Sequence, residues 1–140
     1  MKILLAADGS KFTKKALAFL VTNENLAGDA DEIVVLHVQP AMPPRVKTLV
    51  GAKAVNDYHA EESNKVLAPI GRFLTRHGLP HRCEWKVGPA AETILQVAKR
   101  ERSHLIVMGT HGHGLLGRAV LGSVAQRVVA QCDVPVLLVK

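Results

Sequence analysis

The chain has 140 residues, of which 48% are hydrophobic and only 4% aromatic, and it carries a net charge of +6. A chain of this length forms one domain that buries roughly two-thirds of its unfolded surface, so we expect a single core over residues 1–140. No apolar run approaches the about 18 residues that span a bilayer, which excludes a transmembrane helix. The basic residues are scattered among acidic ones and few aromatic side chains are present to stack on bases, so we expect no nucleic-acid partner.

The apolar run near the amino terminus predicts a cytoplasmic protein without a membrane partner. It extends from Ile3 to Ala7 and ends at Asp8, which is too short for the hydrophobic region of a signal peptide. Cys83 and Cys132 show neither metal-binding nor Cys-x-x-Cys spacing. We therefore expect two reduced and mostly buried thiols.

Five short apolar runs predict strands. Because they are continuously apolar rather than alternating, they are typical of strands buried on both faces of a parallel sheet. The predicted strands are Lys2–Ala7, Ile33–Val38, a weaker His81–Val87, His104–Met108 and Val134–Val139.

Helical spacing of apolar residues fills the segments between the strands. We expect a first helix from Ser10 to about Ala27 and a third beginning just after Pro89. The second extends from near Val46 to His77, and we expect Pro69 to kink it or divide it in two.

A fourth helix is predicted to begin at Ser123. Ser123 and Gln126, three residues later, have the spacing of a capping box, in which the serine caps the first turn. The helix is expected to end by Asp133, before Pro135.

Strands that alternate with helices predict an α/β fold, a single-domain open parallel five-stranded sheet with helices on both faces. A ligand crevice forms where the strand order reverses. The flavodoxin-like order 2-1-3-4-5 would use the loop after the third strand, but Val87-Gly88-Pro89 is short there. The half-Rossmann-like order 3-2-1-4-5 would use the long loop after the fourth strand, and long loops are usually functional. We therefore predict the order 3-2-1-4-5.

That long loop, GTHGHGLLGRAVLGS at positions 109–123, resembles three kinds of phosphate-binding segment. A P-loop is excluded because Leu115 stands where the lysine belongs. The dinucleotide pattern Gly112–Gly117 is excluded because it follows the fourth strand and lacks the distant acid. The third kind of phosphate-binding segment is a cradle of unpaired amides. It is formed by Gly109, Gly112 and Gly122 together with the start of the last helix. A Gly-rich lid with a merely capping serine is the alternative.

The spacing Gly109-x2-Gly112-x9-Gly122-Ser123 resembles the G-x2-G-x9-G-[ST] signature of the ATP-binding branch of the universal stress protein family. The segments KILLAADGS, VVLHV, HLIVMGTHGHG, LGSVAQRVV and VPVLLVK are similar to blocks of that family and stand in the same order. The resemblance covers the whole chain, which it marks as a universal stress protein-like nucleotide-binding domain.

The resemblance implies ATP bound between the first and fourth strands, with Mg²⁺ held by the phosphates and no metal ligand from the protein. Asp8 would contact the nucleoside, with turn capping as the alternative, and the backbone of Val38 would meet adenine. The implied nucleotide-binding residues are Ala7, Asp8, Val38, Met108, Gly109, His111, Gly112, Gly122, Ser123 and Val124. The sequence does not rank ATP against AMP or cyclic AMP.

The histidines carry separate expectations. His111 and His113 lack the firm further ligands that zinc requires, so a hydrogen bond to phosphate is favoured over metal binding. His37, inside the second strand, is predicted to be a hydrogen-bonded core residue. The sequence does not decide whether Arg118 faces phosphate, a partner or water.

The last strand is apolar and is predicted to lie at a sheet edge, where it invites pairing with a second chain. We therefore predict a homodimer through Val136, Leu137, Leu138 and Val139. The resemblance implies a regulatory ATP-binding protein of stress tolerance. The alternatives are a slow ATPase or autophosphorylating enzyme, and a nucleotide-free interaction module; no catalytic residue is predicted, because the loop lacks a lysine and a general base.

Overall fold

A computed structural model describes residues 1–23, 25–28, 31–112 and 121–140. In chain order the elements are β1 (Lys2–Ala6), α1 (Lys11–Thr22), β2 (Glu32–Gln39), α2 (Pro44–Val50), α3 (Ala52–Arg76), β3 (His81–Val87), α4 (Ala90–Arg100), β4 (Leu105–Gly109), α5 (Ser123–Gln131) and β5 (Val136–Val139). All five predicted strands are present; β3 has the predicted bounds, and the ends of the others are displaced by at most two residues. None of the described helices is long and apolar enough to cross a bilayer.

The strands form one parallel sheet in the order β3-β2-β1-β4-β5, which confirms the predicted topology. β1 is central, and its Leu5 is in register with Val35 of β2 and Val107 of β4. Leu5 faces α1 and α3, whereas Leu4 faces α4 and α5, so each face of the sheet has its own buried core. The helix that follows β1 and the helix that follows β4 therefore lie on opposite faces.

The second predicted helix is interrupted at Gly51 and not at Pro69. Gly51 has φ +90°, a backbone conformation that L side chains rarely adopt, and it separates α2 from α3. Pro69 lies within α3 on its exposed side. The Lys65 carbonyl, which loses its usual N–H partner there, is on an exposed residue, so the helix continues past the proline.

The first predicted helix is shorter than expected and ends at Thr22 instead of Ala27. Asn23 is its C-cap and has left the helical conformation, with φ −119° and ψ 79°. The Asn23 Nδ2 donates to the Phe19 carbonyl at 2.7 Å, which satisfies one of the carbonyl groups of the last turn.

β3 is not buried as predicted, because it forms an edge of the sheet. Cys83 on β3 is exposed and Cys132 is half-buried, and both are free thiols, so the expected burial of Cys83 is wrong. The Cys83 Sγ nevertheless points toward Gly71 of α3. Burial of the thiol raises its pKa, which lowers the fraction of reactive thiolate.

An ion-pair network joins the elements at the end of the sheet opposite the carboxyl ends of the strands. Glu101, whose side chain is 13% exposed, accepts hydrogen bonds from Arg82 of β3 and from Arg100 at 3.2 Å. Lys2 Nζ of β1 lies 3.6 Å from the same carboxylate. The hydrogen bond from Arg82 is the main cause of a lowered Glu101 pKa.

We predict that Glu101→Gln lowers the free energy of unfolding at neutral pH by about 1 kcal/mol, or about 2–4 °C in Tm. Because the pKa of folded Glu101 lies below its usual 4.5, its contribution is complete above that value and is lost as the pH falls through the folded pKa. Thermal unfolding of both proteins from pH 7 to pH 3 measures the difference. Asp57→Asn, at the exposed Lys53–Asp57 pair, is the control and leaves Tm unchanged; an equal loss in both variants would contradict the role of Glu101.

Candidate functional site

A cavity of about 600 Å³ opens at the carboxyl ends of β1, β2 and β4, beside the start of α5. This is the place where the strand order reverses, and the volume is within the range of small-molecule sites. All ten residues of the predicted set line it: Ala7, Asp8, Val38, Met108, Gly109, His111, Gly112, Gly122, Ser123 and Val124. His113 and Arg118 lie outside the described residues.

The cavity has an apolar part on the side of the sheet that faces α4 and α5. Its residues outside the predicted set include Leu36, Ala90 and Ile94. Leu36 could have been found from strand alternation, because it precedes Val38 by two residues and shares its face. Ala90 and Ile94 belong to the first turn and a half of α4, and only the tertiary structure brings them to the cavity.

Val38 also turns backbone groups toward the cavity. The Ala7 N–H donates to the Leu36 carbonyl at 2.9 Å, so the backbone groups of Leu36 face β1. Along a strand the backbone groups of alternate residues face the same neighbour, and those of Val38 therefore face the β1 side too. β1 has already ended at Ala6, which leaves the N–H and C=O of Val38 beyond the ladder.

Asp8 caps a turn, which is one of its two predicted roles, and it also lines the cavity. Its Oδ1 accepts from the Ser10 N–H at 2.9 Å and from Thr13 Oγ1 at 3.0 Å. Thr13 Oγ1 also accepts from the Asp8 N–H at 3.1 Å. These bonds hold the carboxylate in place, and Thr13, which the sequence analysis did not single out, is itself part of the cavity wall.

The three signature glycines are required by close contacts rather than by unusual dihedral angles. A Cβ on Gly109 would lie 2.4 Å from Phe12 Cβ, and one on Gly112 would lie 2.6 Å from Asp8 Oδ2. A Cβ on Gly122 would lie 2.9 Å from the Thr110 carbonyl oxygen, to which the Gly122 N–H donates at 2.8 Å. The hydrogen bond from the Gly122 N–H to the Thr110 carbonyl joins the two ends of the long loop. The Gly122 N–H therefore has a partner within the protein.

The predicted capping box is wrong. Gly122 is the N-cap of α5, and no side chain caps the helix. Ser123 is the first helical residue, and Gln126 Nε2 donates instead to the Leu121 carbonyl at 2.9 Å. The predicted start of the helix at Ser123 is confirmed, but Gly122 takes the cap position that the capping box assigned to the serine.

The uncapped start of α5 leaves backbone donors at the cavity. The first main-chain bond of the helix runs from the Gln126 N–H to the Gly122 carbonyl at 2.9 Å. Within the described ranges, the amides of Ser123, Val124 and Ala125 have no partner, and the first turn contains no acidic residue. Three amides and the positive end of the helix dipole therefore favour an anion at this end of the cavity.

His111 lies in the wall of the cavity, next to Gly122. Its Nδ1 is 2.9 Å from Thr110 Oγ1, and its ring centroid is 5.3 Å from that of Phe12. In the part of the chain that the structure describes, no group of three or more His, Cys, Asp or Glu residues could hold a metal ion.

Comparisons with known proteins agree with the fold. The sequence profile of the universal stress protein family matches residues 1–140. A Thermus aquaticus protein, "Universal stress protein in QAH/OAS sulfhydrylase 3'region", is 36% identical over 139 residues, covering 99% of this chain and 97% of its own. The structure of MJ0577 from Methanocaldococcus jannaschii is 31% identical with a TM-score of 0.83, covering 99% of this chain and 94% of that one.

A more distant structure has the same fold and a nucleotide. It is an Arabidopsis thaliana universal stress protein family protein with AMP bound, 18% identical with a TM-score of 0.71, covering 100% of this chain and 91% of that one. At that identity the likeness shows the shared fold alone.

We predict that Gly112→Ala destabilises the protein by about 1–3 kcal/mol, because the new methyl group must displace the Asp8 carboxylate that two donors hold in place. Urea denaturation measures the change. Gly71→Ala is the matched control, because its nearest neighbours would be 3.7 Å away and the residue lies inside α3. Alanine there should stabilise by about 0.5–1 kcal/mol. Equal stability of Gly112→Ala and the unchanged protein would refute the contact.

Proposed function

This chain belongs to the universal stress protein family, and we propose that it binds an adenine nucleotide, ATP with Mg²⁺ first among them, in the cavity between β1, β4 and α5. The observation that carries the proposal is that the amides of Ser123, Val124 and Ala125, at one end of a largely apolar cavity, have no partner among the residues that the structure describes. Such an arrangement suits a ligand with an apolar ring at one end and phosphate at the other.

The apolar part of the cavity suits a purine base. Leu36, Val38, Ile94 and Met108 supply apolar side chains, and none of them offers a polar group that would need a partner on the base. The N–H and C=O of Val38, for which the described part of the chain offers no partner, form an adjacent donor and acceptor. That pair is complementary to the ring nitrogen N1 and the amino group of adenine. The Arabidopsis relative with AMP supports the same class of ligand.

The polar part suits ribose and phosphate. The Asp8 carboxylate, which Ser10 and Thr13 hold in place, is an acceptor for a sugar hydroxyl. Ser123 and Val124 offer amides to phosphate oxygens, with Ala7, Met108, Gly109, His111, Gly112 and Gly122 forming the surrounding wall. Mg²⁺ would neutralise phosphate charge and take its oxygen ligands from the nucleotide and water.

The proposed role of the whole chain, as one nucleotide-binding domain, is regulatory. We place it in the cytoplasm, where nucleotide occupancy would modulate contacts with other proteins during stress. β5 forms one edge of the sheet, and all four of its residues are half-buried in the single chain. A second copy paired along Val136, Leu137, Leu138 and Val139 would cover that edge.

The α5 amides are tested by replacing Ser123 with proline. Gly122 has φ −61° and ψ 153°, which a residue before proline readily adopts, and proline is tolerated as the first residue of a helix. Ser123→Ala removes the hydroxyl group only, whereas Ser123→Pro removes the amide proton as well. Because a hydrogen bond to a charged group contributes about 1.5–3 kcal/mol, we expect Ser123→Pro to bind ATP at least about tenfold more weakly than Ser123→Ala.

Isothermal titration with Mg-ATP, AMP and cyclic AMP measures these affinities and ranks the ligands. Ala52→Pro, the same change at the first residue of α3, is the control and leaves the affinity unchanged. Equal ATP affinity of Ser123→Pro and Ser123→Ala would remove the α5 amides from the site. Absence of binding by the unchanged protein would end the proposal.

The dimer is tested at Val136. The Val139 carbonyl accepts from the Thr110 N–H and the Pro135 carbonyl from the Ile106 N–H, so the N–H of Val136 faces away from β4. Light scattering should give twice the chain mass of 15.1 kDa for the unchanged protein. Val136→Pro, which removes an outward N–H without breaking the ladder to β4, should give the single-chain mass. A dimer that persists in the variant would place the interface elsewhere.

A further inference from the structure

The β1–β2 ladder ends at Ala7 in an irregular way. The Ala7 N–H still donates to the Leu36 carbonyl at 2.9 Å. If the parallel ladder continued, the Ala7 carbonyl would next accept from the Val38 N–H. It accepts instead from the Nδ1 of His37, at 2.8 Å. A side chain therefore takes the place of the main-chain donor in this one step of the ladder.

The His37 ring is held at both of its nitrogens. A carbonyl oxygen can only accept, so Nδ1 carries the proton that it donates to Ala7. Gln39 Nε2, which can only donate, lies 2.7 Å from His37 Nε2, which therefore accepts. The side chain is 5% exposed and is not part of the cavity wall. This confirms the predicted hydrogen-bonded core histidine and adds a second consequence.

We propose that His37 is a positioning residue of the nucleotide site, which acts by keeping the Val38 N–H out of the β-sheet. By taking the Ala7 carbonyl, the imidazole leaves the Val38 amide free to donate to the base edge. His37 itself touches no ligand, because its side chain lies on the face of the sheet that packs against α1 and α3. The inference rests on the proposed function for its ligand, but its structural step is independent of any ligand.

Amide hydrogen exchange of the nucleotide-free protein tests the structural step. In the unchanged protein the Val38 amide should exchange without protection, unlike the amide of Leu36, which faces β1 within the ladder. ¹⁵N NMR should find the His37 proton on Nδ1. A protected Val38 amide or a proton on Nε2 would each overturn the inference, and both measurements use only the unchanged chain.

The variant pair His37→Leu and His37→Asn separates positioning from burial. Leucine cannot donate, so the Ala7 carbonyl turns to the Val38 N–H, whose exchange should slow about tenfold because it gains one hydrogen bond. The asparagine amide can donate from nearly the position of Nδ1, so His37→Asn should leave Val38 unprotected. Equal exchange rates of the Val38 amide in all three proteins would contradict the proposal. A loss of stability that is common to both variants cannot explain a difference in Val38 exchange between the two variants.

Nucleotide affinity tests the link to the ligand. In 1-deaza-ATP a carbon replaces the ring nitrogen N1, so the Val38 N–H has no acceptor. The unchanged protein and His37→Asn should prefer ATP over 1-deaza-ATP about tenfold, and His37→Leu should lose that preference. If the unchanged protein binds neither compound, the proposed function fails while the exchange data still decide the role of His37. If all three proteins bind ATP with the same preference, the role of His37 fails while the proposed function stands.

Discussion

The rest of the structure depends on the place where the parallel ladder around β1 stops. The helix that follows β1, α1, packs on one face of the sheet, and the helix that follows β4, α5, packs on the other. When the helices that follow two neighbouring strands lie on opposite faces of the sheet, neither helix covers the carboxyl ends of the strands. A crevice forms at that place. The main-chain N–H and C=O groups at the carboxyl end of a strand must form hydrogen bonds within the protein, or they remain available to a ligand.

Close packing around the crevice explains the glycines better than flexibility does. Gly109 allows α1 to approach the end of β4, Gly112 allows the Asp8 carboxylate to approach the loop, and Gly122 allows the two ends of the loop to bond to each other. At each of these positions the absence of a side chain allows direct contact with a polar or aromatic neighbour. The Gly122 contact lies at the N-cap of α5, directly before the amides of Ser123 and Val124 at the cavity.

The parts of the fold that were predictable are those with a strong local signal. Continuous apolar runs identified the strands, and the contrast between Val87-Gly88-Pro89 and the long loop after β4 identified the strand order. The errors arose where two signals competed. Pro69 is a stronger helix breaker than Gly51 in isolation, but Pro69 lies on the solvent side of α3, whereas Gly51 has a positive φ that ends α2. β3 alternates the charged residues Arg82, Glu84 and Lys86 with less polar ones, and its place at the edge of the sheet leaves Cys83 exposed.

By itself the sequence determined the strands and their order, because these follow from apolar patterns and loop lengths that are local in the chain. The spacing of the glycines gave the resemblance to the family, and that resemblance implied ten of the residues that line the cavity. Only the tertiary structure decided how those residues are connected to one another. The partners of Asp8, the bond between Gly122 and Thr110, and the approach of His37 to the Ala7 carbonyl join residues that are far apart in sequence or on different strands. Such contacts depend on distances of a few tenths of an ångström between packed elements, and residue types alone do not encode them.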